Sequence, residues 1–199
     1  MKKNMVVLMA VLAGMGVACL AQAGSIVGSK HDLSVTGLTD GQICIACHTP
    51  HNADTSTVDA PLWNHALTTA TYTLYDSPTF TGKPSQTSPG GVSKLCLSCH
   101  DGTVALDAFG GITTGTMIGD AGNLSTDLKK SHPISFTYDS TLASDDGELT
   151  DPATLPAGWV NNNKFECSSC HDVHNKLDVG KMLLKSNANS ALCLTCHVK

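Results

Sequence analysis

The chain of 199 residues contains no arginine, because its 12 basic residues are all lysine, against 17 acidic residues. Nucleic-acid-binding proteins usually present a basic face rich in arginine, so a net charge of −5 argues against that class. Aromatic residues are also scarce, at 5% of the chain. A single domain of this length normally fills its core with more large side chains. The chain is therefore either loosely structured or filled by a group that is not a side chain.

The first 23 residues have the pattern of a secretory signal peptide (1–23). Lysines occupy positions 2–3, residues 5–20 are all apolar or glycine, and residues 21–23 supply a small-x-small cleavage pattern. The apolar run is shorter than the roughly 20 residues of a membrane span. Retention of this segment as an anchor and lipidation of Cys19 are the alternatives.

Cleavage after residue 23 changes the composition of the mature chain. Residues 24–199 carry ten lysines against 17 acidic residues, and their cysteine count falls from nine to eight. Residues 24–199 contain no second run long and apolar enough for a membrane span. We expect an exported protein with no membrane span after signal removal.

The eight remaining cysteines form four Cys-x-x-Cys pairs, and a histidine follows each pair directly. The pairs are Cys44 and Cys47, Cys96 and Cys99, Cys167 and Cys170, and Cys193 and Cys196. Exported proteins favour disulfides, and such pairs also hold structural zinc. Neither chemistry explains a histidine in the fifth position of all four frames.

Covalent attachment of haem explains the complete five-residue frame. Cysteines three positions apart lie on one face of a helical turn, where both sulfurs reach the vinyl groups on one porphyrin edge. The histidine four positions after the first cysteine shares that face and can bind the iron as proximal ligand. The pattern predicts four c-type haems, with proximal ligands His48, His100, His171 and His197.

Histidine is also abundant enough to supply the sixth ligand of each iron. Five histidines remain for four positions, whereas residues 24–199 contain only two methionines. Iron bound by two histidines has no vacant position for a substrate and lacks the thioether ligand that raises the reduction potential. We therefore predict low-potential electron transfer and no enzymatic activity.

The short chain between each of two histidines and the preceding proximal histidine restricts which iron each of the two can bind. His51 and His174 each follow a proximal histidine by three residues. Ligands on opposite faces of one haem need Cα atoms more than about 11 Å apart, near or beyond the span of three extended residues. His51 and His174 should therefore bind the iron of a neighbouring haem, which brings haems into near contact.

The other two distal ligands are predicted to be His31 and His132. Pro133 holds the backbone of His132 extended, which suits a side chain projecting from a strand-like segment. His65 is the histidine left over in this assignment. The choice between His65 and the preferred set stays open at the level of sequence.

The motifs are arranged as a weak internal repeat. Residues 44–51 resemble residues 167–174, and 93–100 resemble 190–197, which indicates a duplicated two-haem unit (44–100 and 167–197). Residues 102–166 form a haem-free insert rich in Gly, Asp, Ser, Thr and Pro, expected to be looped. We predict a mostly coil fold with short helices and few short strands, in which four porphyrins supply the core.

These motifs resemble the multihaem c-type cytochromes of the doubled-CXXCH kind found in metal-reducing bacteria. The resemblance lies in His31-Asp32-Leu33-Ser34, residues 44–51, Pro61-Leu62-Trp63-Asn64, residues 96–102, Ser131-His132-Pro133, residues 167–174 and residues 193–197. Size and haem number are similar to those of the outer-surface tetrahaem filament cytochromes of the OmcE type. The resemblance implies stacked and T-shaped haem pairs and a homopolymer in which one haem takes its distal histidine from the next subunit. It also implies the distal set His31, His51, His132 and His174.

The expected function is that of an exported tetrahaem electron carrier at the outer cell surface or outside the cell. As a filament subunit it would deliver electrons to extracellular acceptors such as metal oxides, and it would not bind nucleic acid. The alternatives are a monomeric periplasmic shuttle and a multihaem reductase with one open haem. A purely structural role for the haems would require wider haem spacing than the positions of His51 and His174 allow.

Overall fold

The computed structural model describes residues 25–82, 88–112 and 115–198, so the predicted signal peptide and Cys19 lie outside the described residues. Within these ranges the chain is mostly coil, with three short α-helices and one two-stranded sheet. The elements are α1 (Gly91–His100), β1 (Phe136–Thr137), α2 (Ser140–Asp146), β2 (Lys164–Phe165) and α3 (Cys193–Cys196). This confirms the predicted mostly coil class. None of these helices has the length and apolar character needed to cross a membrane.

Four 3₁₀ turns complete the regular structure of the described residues, at Leu33–Val35, Pro152–Thr154, Cys167–Ser169 and Ala188–Ser190. The short helices expected around the cysteine motifs are present at the second and fourth motifs, in α1 and α3. The third motif begins with a 3₁₀ turn instead.

Helix α2 was not predicted, because the insert of residues 102–166 was expected to be looped. The structure places an α-helix over Ser140–Asp146. The carboxylate of Asp139 accepts a hydrogen bond of 2.9 Å from the Leu142 N–H, which satisfies a free donor of the first turn. Gly147, at φ +75°, ends the helix in the left-handed conformation that glycine adopts without strain.

The side-chain core is small and aromatic. Phe136 on β1 pairs across the antiparallel sheet with Phe165 on β2, and their rings stack at 5.4 Å. Tyr138 and Ala143 complete this cluster. A second buried cluster contains Tyr72, Leu97 and Leu128. The few aromatic side chains are thus concentrated around residues that adjoin the cysteine motifs.

Candidate haem sites

Each cysteine motif closes into one helical turn. In three motifs the histidine N–H donates to the carbonyl of the first cysteine, over 2.9 Å for His48 and 3.0 Å for both His171 and His197. The second motif forms the last turn of α1. Residues four apart share a helix face, so each histidine lies on the side of its own cysteines.

A short extended segment crosses behind the first motif. The Thr49 N–H donates to the Leu62 carbonyl over 2.9 Å, and the Asn64 N–H donates to the Cys47 carbonyl over the same distance. These two bonds fix the backbone on both sides of the proximal His48. Leu62 has a φ of +53°, which turns the chain into this short antiparallel contact.

The third motif has the same backbone support. The Asp172 N–H donates to Met182 O over 2.8 Å, and the Leu184 N–H donates to Cys170 O over 2.9 Å. Met182, the counterpart of Leu62, has the same φ of +53°. Residues 181–184 therefore repeat the role of residues 61–64, although the two segments share no obvious sequence pattern.

The fourth motif is held in a related way by residues 148–150. The Val198 N–H donates to the Glu148 carbonyl and the Thr150 N–H donates to the Cys196 carbonyl, each over 2.8 Å. The support of the fourth motif thus begins directly after helix α2.

Three proximal imidazoles are oriented by main-chain carbonyls. Their Nδ1 atoms lie 2.7 Å from Pro61 O (His48), 2.7 Å from Gly122 O (His100) and 3.0 Å from Lys181 O (His171). An Nδ1–H that donates to a carbonyl leaves the Nε2 lone pair free for a metal and holds the ring in position. This is the orientation that a metal-binding histidine needs.

The spacing of the histidine rings matches that of two ligands on one haem iron. Iron lies about 2 Å from each of two axial nitrogens, so the ring centres of a bis-histidine site are roughly 6 Å apart. Three proximal rings face predicted distal rings at this spacing: His48 and His174 at 6.3 Å, His100 and His31 at 5.8 Å, and His197 and His132 at 6.3 Å. The residues present therefore fit bis-histidine haem iron at three of the four motifs.

The imidazole rings of His31 and His132 both have a lowered pKa, which favours their neutral form. Desolvation by the surrounding chain lowers the pKa of His31, and the nearby His100 lowers this pKa further. Desolvation also lowers the pKa of His132, with a further contribution from His197. Neutral imidazole is the form that binds a metal, so neither ring must lose a proton at neutral pH before binding iron.

The fourth pair of histidines is not assembled. Among the residues that the structure describes, no histidine ring faces His51 or His171 at the spacing found for the other three pairs. Both residues are exposed. The chain thus leaves one predicted proximal and one predicted distal histidine at its surface without a facing ring.

His65 lies in a different environment from the other histidines. It is 2% exposed, with its Nδ1 atom 2.8 Å from Ala66 O and its Nε2 atom 2.9 Å from Ala105 O. Its ring contacts Trp63 edge-on. Both ring nitrogens therefore face main-chain carbonyls, and neither points to a proximal histidine.

The motifs adjoin one another in the order of the sequence. Burial raises the pKa of Cys99 to about 12, and the nearby Cys47 of the first motif contributes to this rise. The Cys96 and Cys167 thiols lie close enough to shift each other's pKa, that of Cys96 upward and that of Cys167 downward, which brings the second and third motifs together. Burial raises the pKa of Cys170 to about 11, with Cys196 of the fourth motif as the next contributor. Groups attached at these cysteines would form a continuous series.

A buried carboxylate follows the second proximal histidine. Asp101 is 3% exposed and accepts hydrogen bonds from the Thr68 hydroxyl at 2.6 Å, the Tyr72 hydroxyl at 2.5 Å and the Thr103 N–H at 2.7 Å. Burial disfavours its ionisation, but these hydrogen bonds outweigh burial and lower its pKa. Asp101 is therefore a fixed negative charge that joins the end of α1 to residues 68–72.

We expect Asp101→Asn to lower the free energy of unfolding by about 2 kcal/mol. Hydrogen bonds to a buried charge contribute roughly 1.5–3 kcal/mol each, and the asparagine amide keeps only some of the hydrogen bonds that the carboxylate accepts. Because the pKa is lowered on folding, the stabilisation is present at neutral pH and is lost as pH falls through the folded-state value. Denaturant titrations at neutral and acidic pH measure this difference. Equal stability of the variant and the wild type at neutral pH would contradict the assigned network.

Comparison with known families agrees with this geometry. A family model described as the doubled CXXCH motif matches residues 160–199, which include the third and fourth motifs. The match supports a multihaem c-type cytochrome, a class that holds haem covalently through CXXCH motifs and transfers electrons. A comparison with curated proteins gives no match.

Proposed function

We propose that this chain is an exported tetrahaem c-type cytochrome that carries electrons through low-potential bis-histidine haems. The observation that carries the proposal is the set of three facing histidine pairs with ring centres 5.8–6.3 Å apart, each pair including the histidine of a CXXCH motif. The signal-like residues 1–23 support export.

The residues have separate tasks in this proposal. The eight motif cysteines attach the porphyrins, and the four motif histidines bind iron on the proximal side. His174, His31 and His132 fill the distal positions at the first, second and fourth motifs. Haem would supply one-electron chemistry when bound, and two histidines held at each iron would keep substrates away from it. The chain therefore favours transfer of electrons over chemistry on a ligand.

The contacts between motifs support a path through the subunit. Cys47 lies near Cys99, Cys96 contacts Cys167, and Cys170 lies near Cys196. His174 also follows the third motif in sequence while its ring faces the histidine of the first motif. These contacts support a series in which each predicted haem lies beside at least one other, as electron hopping requires.

The unpaired histidines support a polymeric form. His31 lies near the predicted mature N-terminus, but its ring is half-buried and faces His100 of the same chain. Within the described residues, His51 and His171 are exposed and have no facing histidine ring at the spacing of the three pairs. In the proposed filament, His51 of one copy binds the iron held by His171 of the next copy. Such a head-to-tail contact generates an open assembly.

The filament proposal predicts two linked effects of His51→Ala. Electron microscopy of the purified variant should show single subunits where the wild type forms filaments, and one haem per chain should become five-coordinate and bind carbon monoxide after reduction. His51→Met is the matched control, because a thioether can replace imidazole as axial ligand. We expect His51→Met to retain filaments, with one haem at a higher potential.

Two outcomes would contradict the filament proposal. If His51→Ala opened one haem but left filaments intact, His51 would bind iron within its own chain. If the wild type consisted only of monodisperse single subunits, the monomeric periplasmic shuttle would be favoured.

The same exposed His171 favours a second candidate, a multihaem reductase with one open haem. This enzyme would use the vacant position at the third motif to bind a small oxidised substrate. Binding of one carbon monoxide per chain by the intact, reduced wild-type assembly would support it. The electron-carrier proposal predicts no binding in the assembled protein.

A further inference from the structure

A second buried carboxylate lies where the second and third motifs meet. Glu166 directly precedes the 3₁₀ turn Cys167–Ser169 and is 8% exposed. The third motif packs here against the start of α1, since the Cys167 N–H donates to the Ser93 hydroxyl over 3.0 Å. The carboxyl group therefore occupies the junction between two predicted haem attachment sites.

The Glu166 carboxylate accepts hydrogen bonds from neutral groups. Its Oε2 atom accepts hydrogen bonds from the Ser93 N–H at 3.3 Å and from the Ser135 hydroxyl at 3.1 Å. Ser93 and Ser135 are both 0% exposed. A Cβ added at Gly91 would lie 3.2 Å from Oε1, so the site has little spare room. No arginine exists in this chain to hold the carboxylate ionised.

The titratable groups that face Glu166 are Lys164 on β2 and the Cys96 and Cys167 thiols. The Lys164 ammonium donates to the Thr137 hydroxyl over 2.9 Å. Burial raises the pKa of Glu166 above its ordinary value, although the two serines and Lys164 act to lower it. The cysteines become thioethers on haem attachment and then no longer titrate. Glu166 thus differs from Asp101, whose hydrogen bonds lower its pKa.

We propose that Glu166 is a proton-binding site coupled to reduction of the haems attached through Cys96 and Cys167. This inference rests on the proposed electron-transfer function and adds a residue that takes part in it. Reduction of iron from Fe³⁺ to Fe²⁺ removes one positive charge beside the junction, so the Glu166 carboxylate binds a proton more tightly. The electron comes from the neighbouring haem of the series and the proton comes from solvent; oxidation returns both.

Coupling to Glu166 gives the pH dependence of the haem reduction potential a defined sign. At high pH the ionised Glu166 favours the oxidised iron and lowers the potential, and at low pH the neutral acid removes this effect. Between these limits the potential should fall by up to about 59 mV for each tenfold decrease in proton concentration. A redox titration of the intact holoprotein at several pH values, followed by visible absorbance, measures this slope.

The test compares three variants with the wild type. Glu166→Gln is permanently neutral, so the affected haem potential should lose its pH dependence and stay at the low-pH value. Glu166→Asp retains a carboxyl group and should retain a slope. Asp145→Asn removes an exposed carboxylate on α2 and should behave as the wild type.

An unchanged slope in Glu166→Gln would overturn the proposal and assign the coupling to another group. Loss of the slope in Glu166→Asp and Asp145→Asn as well would overturn it equally, because the effect would then not be specific to Glu166. If Glu166→Gln assembled poorly, two other measurements would test the proposal. They are the slope of Glu166→Asp and the redox-induced infrared signal of a protonated carboxyl group in the wild type. Failure of the proposed function itself would be distinguishable, because the protein would then lack reversible haem reduction at every pH.

Discussion

His132→Ala should convert one low-spin haem per chain into a five-coordinate haem that binds carbon monoxide. The ring of His132 faces that of His197 at 6.3 Å, and Nδ1 of His132 lies 2.9 Å from the Pro133 carbonyl, so that Nε2 is available to iron. Alanine removes this axial ligand and cannot replace it. In the assembled, reduced protein, carbon monoxide binding should rise from none to one per chain, measured by visible difference spectroscopy.

His65→Ala is the matched control for this experiment. Both nitrogens of His65 face carbonyls within the chain, so its removal should leave every iron six-coordinate. Stability should still fall, because His65 is buried and the hydrogen bond that its ring N–H donates to a main-chain carbonyl is lost. Carbon monoxide binding by His65→Ala and not by His132→Ala would exchange the roles of the two residues and contradict the pairing.

The double variant Cys96→Ala/Cys99→Ala should prevent formation of the folded holoprotein. Both cysteines lie at motif junctions, and α1 has few other buried contacts: Ser93, Leu95, Leu97 and Ser98. Removing one buried aromatic side chain costs about 3–5 kcal/mol, and a porphyrin is larger than any side chain. Domains are stable by only about 5–15 kcal/mol. We expect the soluble yield of holoprotein to fall at least tenfold, measured by haem-stained gels of the exported fraction.

Cys19→Ala controls for the loss of a cysteine as such. This position lies in the predicted signal peptide and outside the described residues, so haem content and yield should not change. A normal yield of folded Cys96→Ala/Cys99→Ala would show that the side chains alone form a sufficient core. It would contradict the inference, drawn from nine aromatic residues in 199, that porphyrins fill the interior.

The sequence predicted the parts of the site that depend on side-chain chemistry. The CXXCH spacing is local and needs only one helical turn, which the structure shows at all four motifs. The mostly coil fold followed from the glycine-rich and proline-containing insert between the motifs. The number of haems and the individual iron ligands stay predictions, with geometric support for three pairs.

Other features could not be predicted because they leave no side-chain signature. The carbonyls of Pro61, Gly122 and Lys181 orient proximal rings, and any residue supplies a carbonyl. The pairing of His31 with His100 depends on contacts across the fold. Helix α2 did have signals, an N-terminal Asp139 and a C-terminal Gly147, but the acidic residues between them suggested a loop.

The central claim is that all eight mature cysteines attach haem, and the intact mass of the exported protein tests it most directly. The account predicts a chain beginning at residue 24 that carries the mass of four haems and resists reduction by thiols. The polypeptide mass alone, decreased by the hydrogens lost in disulfides or increased by bound zinc, would contradict it.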